Sequence, residues 1–267
     1  MESAALPMPR RLGAVNWLGL WTLYVREVRR FAKVATQTLL SPLVTTLLYL
    51  LIFSLALGRS LPLLGGVTYA QFLVPGLAMM SMVQNSFANT SSSIVIAKIQ
   101  GNIVDILMPP LSAGELTLAL AAGGLTRGLT VGLVTIVAVS LFLPLPIHSW
   151  FFLLFHAVAA SLMLSLIGIL AALWAEKFDQ MAAVTNFVIT PLSFLSGAFY
   201  STERLPDLWR AVAHLNPFFY MIDGFRYGFI GHADGSLGAG LAVLAAADIL
   251  LWLATWRLIH KGYKLRP

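Results

Sequence analysis

WFFLLFHAVAASLMLSLIGILAALW, the run from Trp150 to Trp174, decides the fold. It lies inside a longer stretch, Gly128 to Ala175, that contains no Asp, Glu, Lys or Arg. Two further stretches, Val34 to Gly58 and Ser60 to Ala97, are equally free of charge. Each reaches the roughly 20 apolar residues a helix needs to cross a hydrocarbon core of about 30 Å. The whole chain repeats the pattern: of its 267 residues 58% are hydrophobic and only 10% charged. Soluble domains carry about 25% charge because something polar must cover their surface. The expected fold class is therefore an all-α membrane protein forming one domain over residues 1–267.

Outward from Trp150 to Trp174 the chain divides into six expected transmembrane helices. They run roughly Thr36 to Leu57, Tyr69 to Ser92, Glu115 to Leu141, Trp150 to Trp174, Gln180 to Tyr200 and Leu237 to Ile259. Pro42 sits in the opening turns of the first, and Pro75-Gly76 predicts a kink in the second. Before the first span, Trp17, Leu20, Trp21, Tyr24, Val28 and Phe31 recur at helical spacing, with Arg26, Glu27, Arg29, Arg30 and Lys33 on the other side. This pattern predicts an interfacial amphipathic helix, its aromatic face in the membrane and its basic face toward lipid headgroups. Residues 1–33 thus read as a tail followed by that helix. Arg10 and Arg11 are not followed by the apolar run of a signal peptide.

Two polar stretches interrupt the spans. Across 94–110, Lys98, Gln100, Asn102 and Asp105 alternate with Ile99, Ile103, Ile106 and Leu107 up to Pro109-Pro110, which predicts a short amphipathic helix. Across 201–235, Leu205, Leu208, Trp209 and Val212 make one apolar stripe, and Phe218, Met221, Ile222 and Phe225 a second, separated at Asn216-Pro217. That segment reads as a re-entrant or interface-lying helical hairpin between the fifth and sixth spans. Basic residues set orientation, because positive loops stay in the cytoplasm. With the N-terminus inside, twelve Lys and Arg fall on inside segments, and four, Arg59, Arg204, Arg210 and Arg226, fall outside. Both termini are expected to be cytoplasmic, with 94–110 inside and 201–235 outside. The net charge of +6 reflects this topology, so no nucleic-acid partner is expected.

Few residues offer chemistry. Arg127 and Asp248 fall near mid-depth of the third and sixth spans, where a charge costs roughly 2.5–3.5 kcal/mol on insertion scales. They are expected to pair within one protomer; a proton relay or a substrate-binding charge is the alternative. His148, His156, His214, His232 and His260 show no metal-ligand spacing, and cysteine is absent. There is no G-x-S-x-G element. Ser91 to Ser93 and Gly123-Gly124 read as helix-packing residues. Asp223 and Arg226, three apart, suggest a local ion pair. No G-x-x-x-x-G-K-[ST] loop occurs, so any ATP hydrolysis must lie on another polypeptide. A proton-coupled carrier and an intramembrane lipid-modifying enzyme compete with an exporter, although only Arg127 and Asp248 lie deep enough for such chemistry.

Pro191 to Tyr200, then Arg204-Leu205-Pro206, then Leu215-Asn216-Pro217-Phe218 through Asp223-Gly224-Phe225-Arg226 resemble the C-terminal signature of ABC-2-type transporter permeases. Gly101 to Pro110 with Leu111-Ser112, and the helix leading into Leu40-Ser41-Pro42-Leu43, resemble earlier parts of the same family. The similarity covers nearly the whole chain and is greatest to the bacterial YadH-like branch, grouped with multidrug and nodulation-factor exporters. The resemblance implies a type V exporter-like, non-catalytic permease of the bacterial inner membrane. Its implied partners are a second copy of itself, two copies of a separate ATPase that bind ATP and Mg, and membrane lipid; this chain binds no cofactor.

The resemblance also assigns roles. Residues 94–110 hold the coupling helix for the ATPase, with Ile99, Ile103 and Leu107 as a seating ridge, Lys98, Gln100 and Asp105 at its rim, and Gly101 within it. Many relatives have an acid where Gln100 stands, which removes the basis for a salt bridge there. Arg26, Arg29, Arg30 and Lys33 of the interfacial helix make the second contact. The path lies between protomers, with Gln84, Asn85, Phe87, Asn89, Asn186 and Phe187 as candidate lining. A cavity of amides and aromatics without fixed charge suits an amphipathic drug-like or lipid-like substrate; a polysaccharide or lipo-oligosaccharide is the alternative. Gly197, Pro206, Asn216, Pro217, Asp223 and Arg226 mark the external gate hairpin.

Overall fold

A computed structural model describes residues 13–57 and 67–265. Arg10, Arg11, Arg59 and Arg266, four of the charges in the orientation count, lie outside the described residues, as does the start of the N-terminal tail. Among the described residues the secondary structure is helical and no strand forms. The elements are α1 (Trp17–Ala32), a π-helical turn (Thr36–Leu40) leading into α2 (Ser41–Leu57), α3 (Tyr69–Ile99), α4 (Val104–Leu107), α5 (Ala113–Ser140) and α6 (Trp150–Trp174). Then follow α7 (Phe178–Val184), a second π-helical turn (Thr185–Ile189), α8 (Thr190–Phe194), α9 (Asp207–Leu215), α10 (Pro217–Ile230) and α11 (Leu237–His260).

Among the described residues, four helices are long and apolar enough to cross a membrane: Thr36–Ala56, Ala113–Ser140, Trp150–Trp174 and Leu237–His260. Their burial differs and sets the layering. In the most apolar window of α6, 61% of residues are buried inside the protein, against 6% for Thr36–Ala56 and 11% for α11. The helix Trp150–Trp174 is thus the centre of the bundle, and α2 and α11 are its flanks. At 31 residues, α3 is also long enough, but Gln84, Asn85, Asn89 and Thr90 make it more polar. It packs against α5 and α6, with α10 lying across α3 and α6, α11 against α6, and α1 along α5.

The central three helices meet closely because small residues line their contacts. Gly124, Gly128 and Gly132 repeat every fourth residue on α5, so they share one face. A Cβ at Gly128 would lie 2.9 Å from the Met82 carbonyl oxygen and 3.1 Å from Ser161 Oγ. On α6, a Cβ at Gly168 would lie 2.8 Å from the Phe87 carbonyl oxygen. Thr90 Oγ1 donates to the Ser165 carbonyl at 2.9 Å. Without water to exclude, membrane helices associate through such close packing and interhelical hydrogen bonds. Gly123 and Gly124 therefore do pack helices, against Glu27 of α1 and against Ser165 and Thr90 respectively.

Several boundaries depart from the expected ones. The second expected span does not stop at Ser92: α3 runs on to Ile99 and closes at Gln100, where Gly101 has φ +73°. The helix expected over 94–110 is therefore the last turns of α3 plus the four-residue α4. The fifth expected span ends at Phe194 rather than Tyr200. Asn216-Pro217 does separate two helices: Asn216 Oδ1 caps α10 by accepting from Phe218 N at 3.0 Å, and its Nδ2 donates to the Leu192 carbonyl at 2.8 Å. Pro217 occupies the first turn of α10, where its missing N–H costs nothing. Pro206 instead stands one position earlier, as the N-cap residue of α9. The stripe of α10 is core, with Phe218, Met221, Ile222 and Phe225 all buried. The stripe of α9 is not, since Leu208 and Trp209 are exposed.

Candidate functional site

A cavity of about 750 Å³ lies between α1, the first π-helical turn, α3, α5 and the α7–α8 segment. Gln84, Asn85 and Phe87 line it. A smaller cavity of about 190 Å³ shares Gln84 and Thr190 with it and continues along α3 past Ser81 and Met80 to Leu77. Gln84 is the midpoint of α3, so the two cavities together follow that helix from near Ile96 to beyond its centre. Asn89 is buried behind the wall. Asn186 and Phe187 face away from the cavity, and Phe187 is 81% exposed. Met181, Thr185 and Ile189, spaced by four, share the face that meets the cavity instead, and Thr190 lines it beside them.

The cavity wall carries fixed charge, contrary to the expectation of amides and aromatics alone. Arg30 of α1 and Arg127 of α5 both line it. Arg30 does not point to the outer basic face of α1. Its Nε and Nη2 donate to Glu27 Oε2 at 3.3 and 3.1 Å, Nη2 also to Asn89 Oδ1 at 3.0 Å, and Nη1 to Ser92 Oγ at 3.0 Å. Glu27 is fully buried against α5, and Ser93 Oγ donates to its Oε1 at 2.7 Å. Ser92 and Ser93 thus hold α1 to α3 by hydrogen bonds rather than by close packing. Arg26, Arg29 and Lys33 remain exposed, as do Trp17 and Trp21. The buried face of α1 is Leu23, Glu27 and Phe31. A lone acid amid four bases was the sequence signal for this buried pair.

Arg127 does not pair with Asp248. Its Nε and Nη2 donate to Asn85 Oδ1 of α3 at 3.2 and 2.9 Å. Asp248 shares a face of α11 with Leu244, Thr255 and Ile259, and its Oδ1 has no hydrogen-bond partner among the described residues. Arg127 turns toward α3 while Asp248 lies on the flanking helix.

At the end of the bundle that carries α1 and α4, Lys98 is not on the rim of a docking ridge. Its Nζ donates to the carbonyls of Ala172, Leu173 and Ala175 at 3.2, 3.0 and 2.6 Å. These are the last carbonyls of α6, which lack intrahelical partners and carry the negative end of the helix dipole. Lys264 joins them, donating to the Trp174 carbonyl at 3.3 Å and to Glu176 Oε1 at 2.7 Å. The Lys264 hydrogen bond holds the Glu176 carboxyl below the usual carboxylate range and raises the lysine's own pKa. Lys98→Met is therefore expected to destabilise the protein by about 1–2 kcal/mol, read as a lower melting temperature in detergent.

The expected seating ridge is also turned. Ile103 is buried and Leu107 packs on the core, while Ile99, Val104 and Met108 are exposed together with Gln100 and Asp105. The four residues of α4 are held by the α3 turn at Gly101 with Ile103 and Ile106 inward, which leaves Val104 and Met108 outward.

At the opposite end, Asp223 and Arg226 are both buried but do not form an ion pair. Asp223 accepts from the backbone N–H groups of Asp234 and Gly235 at 2.8 and 3.0 Å. Arg226 Nη2 donates to the Gly197 carbonyl at 2.6 Å, and its guanidinium lies 3.8 Å above the Phe72 ring. Gly197 has φ +75°, which favours glycine at that turn. Glu203, His232 and Asp234 bring ligand atoms within 4.8 Å of one another. Asp234 uses its carboxylate to accept from Thr202 N at 2.6 Å and to meet His232 Nε2 at 3.2 Å, which fastens the loops around α9.

Residues 19–230 match the family described as ABC-2 type transporter. The chain is 40% identical over 251 residues to the inner membrane transport permease YadH of Escherichia coli K12, covering 94% of this chain and 98% of that protein. It is 26% identical over 270 residues to nodulation protein J of Neorhizobium galegae, covering 98% and 97%.

Proposed function

The chain belongs to the ABC-2 type transporter family, and on that premise we propose that it is the permease subunit of an ATP-driven exporter of amphipathic molecules. In this reading α2, α3, α5, α6, the α7–α8 segment and α11 are six spans, and both termini are cytoplasmic. The α4 end faces a separate ATPase, present in two copies that bind ATP and Mg. The permease works with a second copy of itself, and α9 and α10 form an outer re-entrant hairpin. The reading rests chiefly on the paired cavities along α3. They join the α1–α4 end to mid-bundle through a wall of mixed polar and apolar residues, as a path for an amphipath requires.

Met108 and Val104 supply the exposed apolar surface for the ATPase, while Ile103 holds α4 in place. Met108→Glu is expected to reduce copurification of the ATPase at least tenfold with the melting temperature of the permease unchanged. Unaltered copurification would remove α4 from the interface. The function itself is tested in inside-out vesicles containing the permease with its ATPase. ATP-dependent uptake of a fluorescent amphiphile is expected. Uptake by the permease alone, driven by a pH gradient, would replace the exporter with a proton-coupled carrier.

A further inference from the structure

Arg127 is the charge in the main cavity that this fold does not neutralise. It lies fourteen residues beyond Ala113 on α5, about 21 Å along the helix at 1.5 Å per residue, so it is deep in the bundle. Its partner is the neutral Asn85 Oδ1, which two of its nitrogens share. The third nitrogen has no protein partner among the described residues. Arg30, across the same cavity, is balanced by Glu27. No Asp or Glu lines the cavity, and no carboxylate pairs with Arg127 among the described residues. A permanent charge at membrane depth is costly unless it meets a partner or a polar path. Arginine keeps its charge under all physiological conditions and presents a planar fork suited to carboxylate or phosphate. Apart from the arginines, half of the wall residues are apolar, among them Phe87, Ile96, Phe178, Met181 and Ile189.

We infer that the cavity selects anionic amphiphiles: the acidic head binds at Arg127 beside Asn85, and the apolar tail lies along Phe87, Met181 and Ile189. This inference rests on the proposed exporter for its transport role, but the binding site can be tested without transport. The full-length permease in phosphatidylcholine nanodiscs is titrated with dodecyl phosphate, dodecyltrimethylammonium and dodecyl maltoside, with binding read from intrinsic tryptophan fluorescence. Dodecyl phosphate is expected to bind at least tenfold more tightly than the other two, and Arg127→Gln to abolish that preference.

If Arg127→Gln fails to fold, Asn85→Asp serves in its place, because it sets a carboxylate against Arg127 and is expected to abolish the preference equally. Equal binding of the three amphiphiles, or an anion preference that survives both substitutions, overturns the inference. Nanodiscs containing phosphatidylglycerol separate two sources of the acidic head. Competition with dodecyl phosphate that depends on Arg127 identifies a membrane lipid as ligand, and its absence identifies a dissolved amphiphile. If anions bind through Arg127 but no ATP-dependent transport follows, the exporter reading fails and the site stands. If the ATPase complex transports cationic amphiphiles as well as anionic ones, independently of Arg127, the site fails and the exporter stands.

Discussion

Arg30→Ala is expected to destabilise the protein by about 3 kcal/mol, because it strands a carboxylate that has no water to turn to. Glu27 has a side chain that is 0% exposed, whereas that of Arg30 is 28% exposed. Removing the arginine leaves Glu27 with only the Ser93 hydroxyl, and it takes away the donor shared by Asn89 and Ser92. The same reasoning predicts strong non-additivity. Arg30→Ala with Glu27→Ala removes both charges together and should recover most of the loss, at the expense of a small void facing Gly123. Arg29→Ala, on the exposed side of the same helix, should stay within about 0.5 kcal/mol of the parent. Thermal unfolding in detergent, read by fluorescence-detected size exclusion, provides all four values for a double-mutant cycle. Simple additivity of the two single changes would mean that the pair is not the anchor of α1.

Gly76→Val should be the most damaging change at the opposite end, by about 3 kcal/mol, with little folded protein recovered. A Cβ at Gly76 would come within 2.7 Å of the Ala198 carbonyl oxygen and 3.0 Å of its Cα. Both are backbone atoms, so no rotamer change relieves the contact, and overpacking must move a helix or a turn. The turn has little freedom to move. Arg226, itself 1% exposed, donates to Gly197 and stacks on Phe72 one helical turn before Gly76. The local sequence suggested that Pro75-Gly76 marks a kink; the structure shows that Gly76 is needed for the approach of a segment more than a hundred residues away. Gly238→Val makes the control, since nothing lies within 4 Å of a Cβ there. Its melting temperature should change little, and an equal loss at both glycines would point to helix propensity rather than contact.

The two ends of the molecule differ in how far their roles could be read in advance. Asn216-Pro217 announced a helix break because proline lacks an N–H and asparagine caps, and both effects act within a few residues. The run Trp150 to Trp174 announced a helix by composition alone, since a charge-free stretch of that length has no other stable state in a bilayer. The greater burial of that helix, against the exposure of α2 and α11, was not legible, because apolar residues suit lipid and protein neighbours alike. Lys98 looked like a rim charge for the same reason: its partners are the carbonyls at the end of α6, more than seventy residues on.

Sequence by itself determined that this chain is a helical membrane protein, where most of its helices begin and end, and how far along their helices Arg127 and Asp248 lie. Tertiary structure decided which way each helix face turns. It set Arg127 toward Asn85 and the cavity, left Asp248 without a hydrogen-bond partner for its Oδ1, and buried Glu27 beneath Arg30. Depth follows from counting residues at a fixed rise along one helix. Facing depends on how glycines and serines of separate helices allow their backbones to approach, and that is fixed only when the bundle packs.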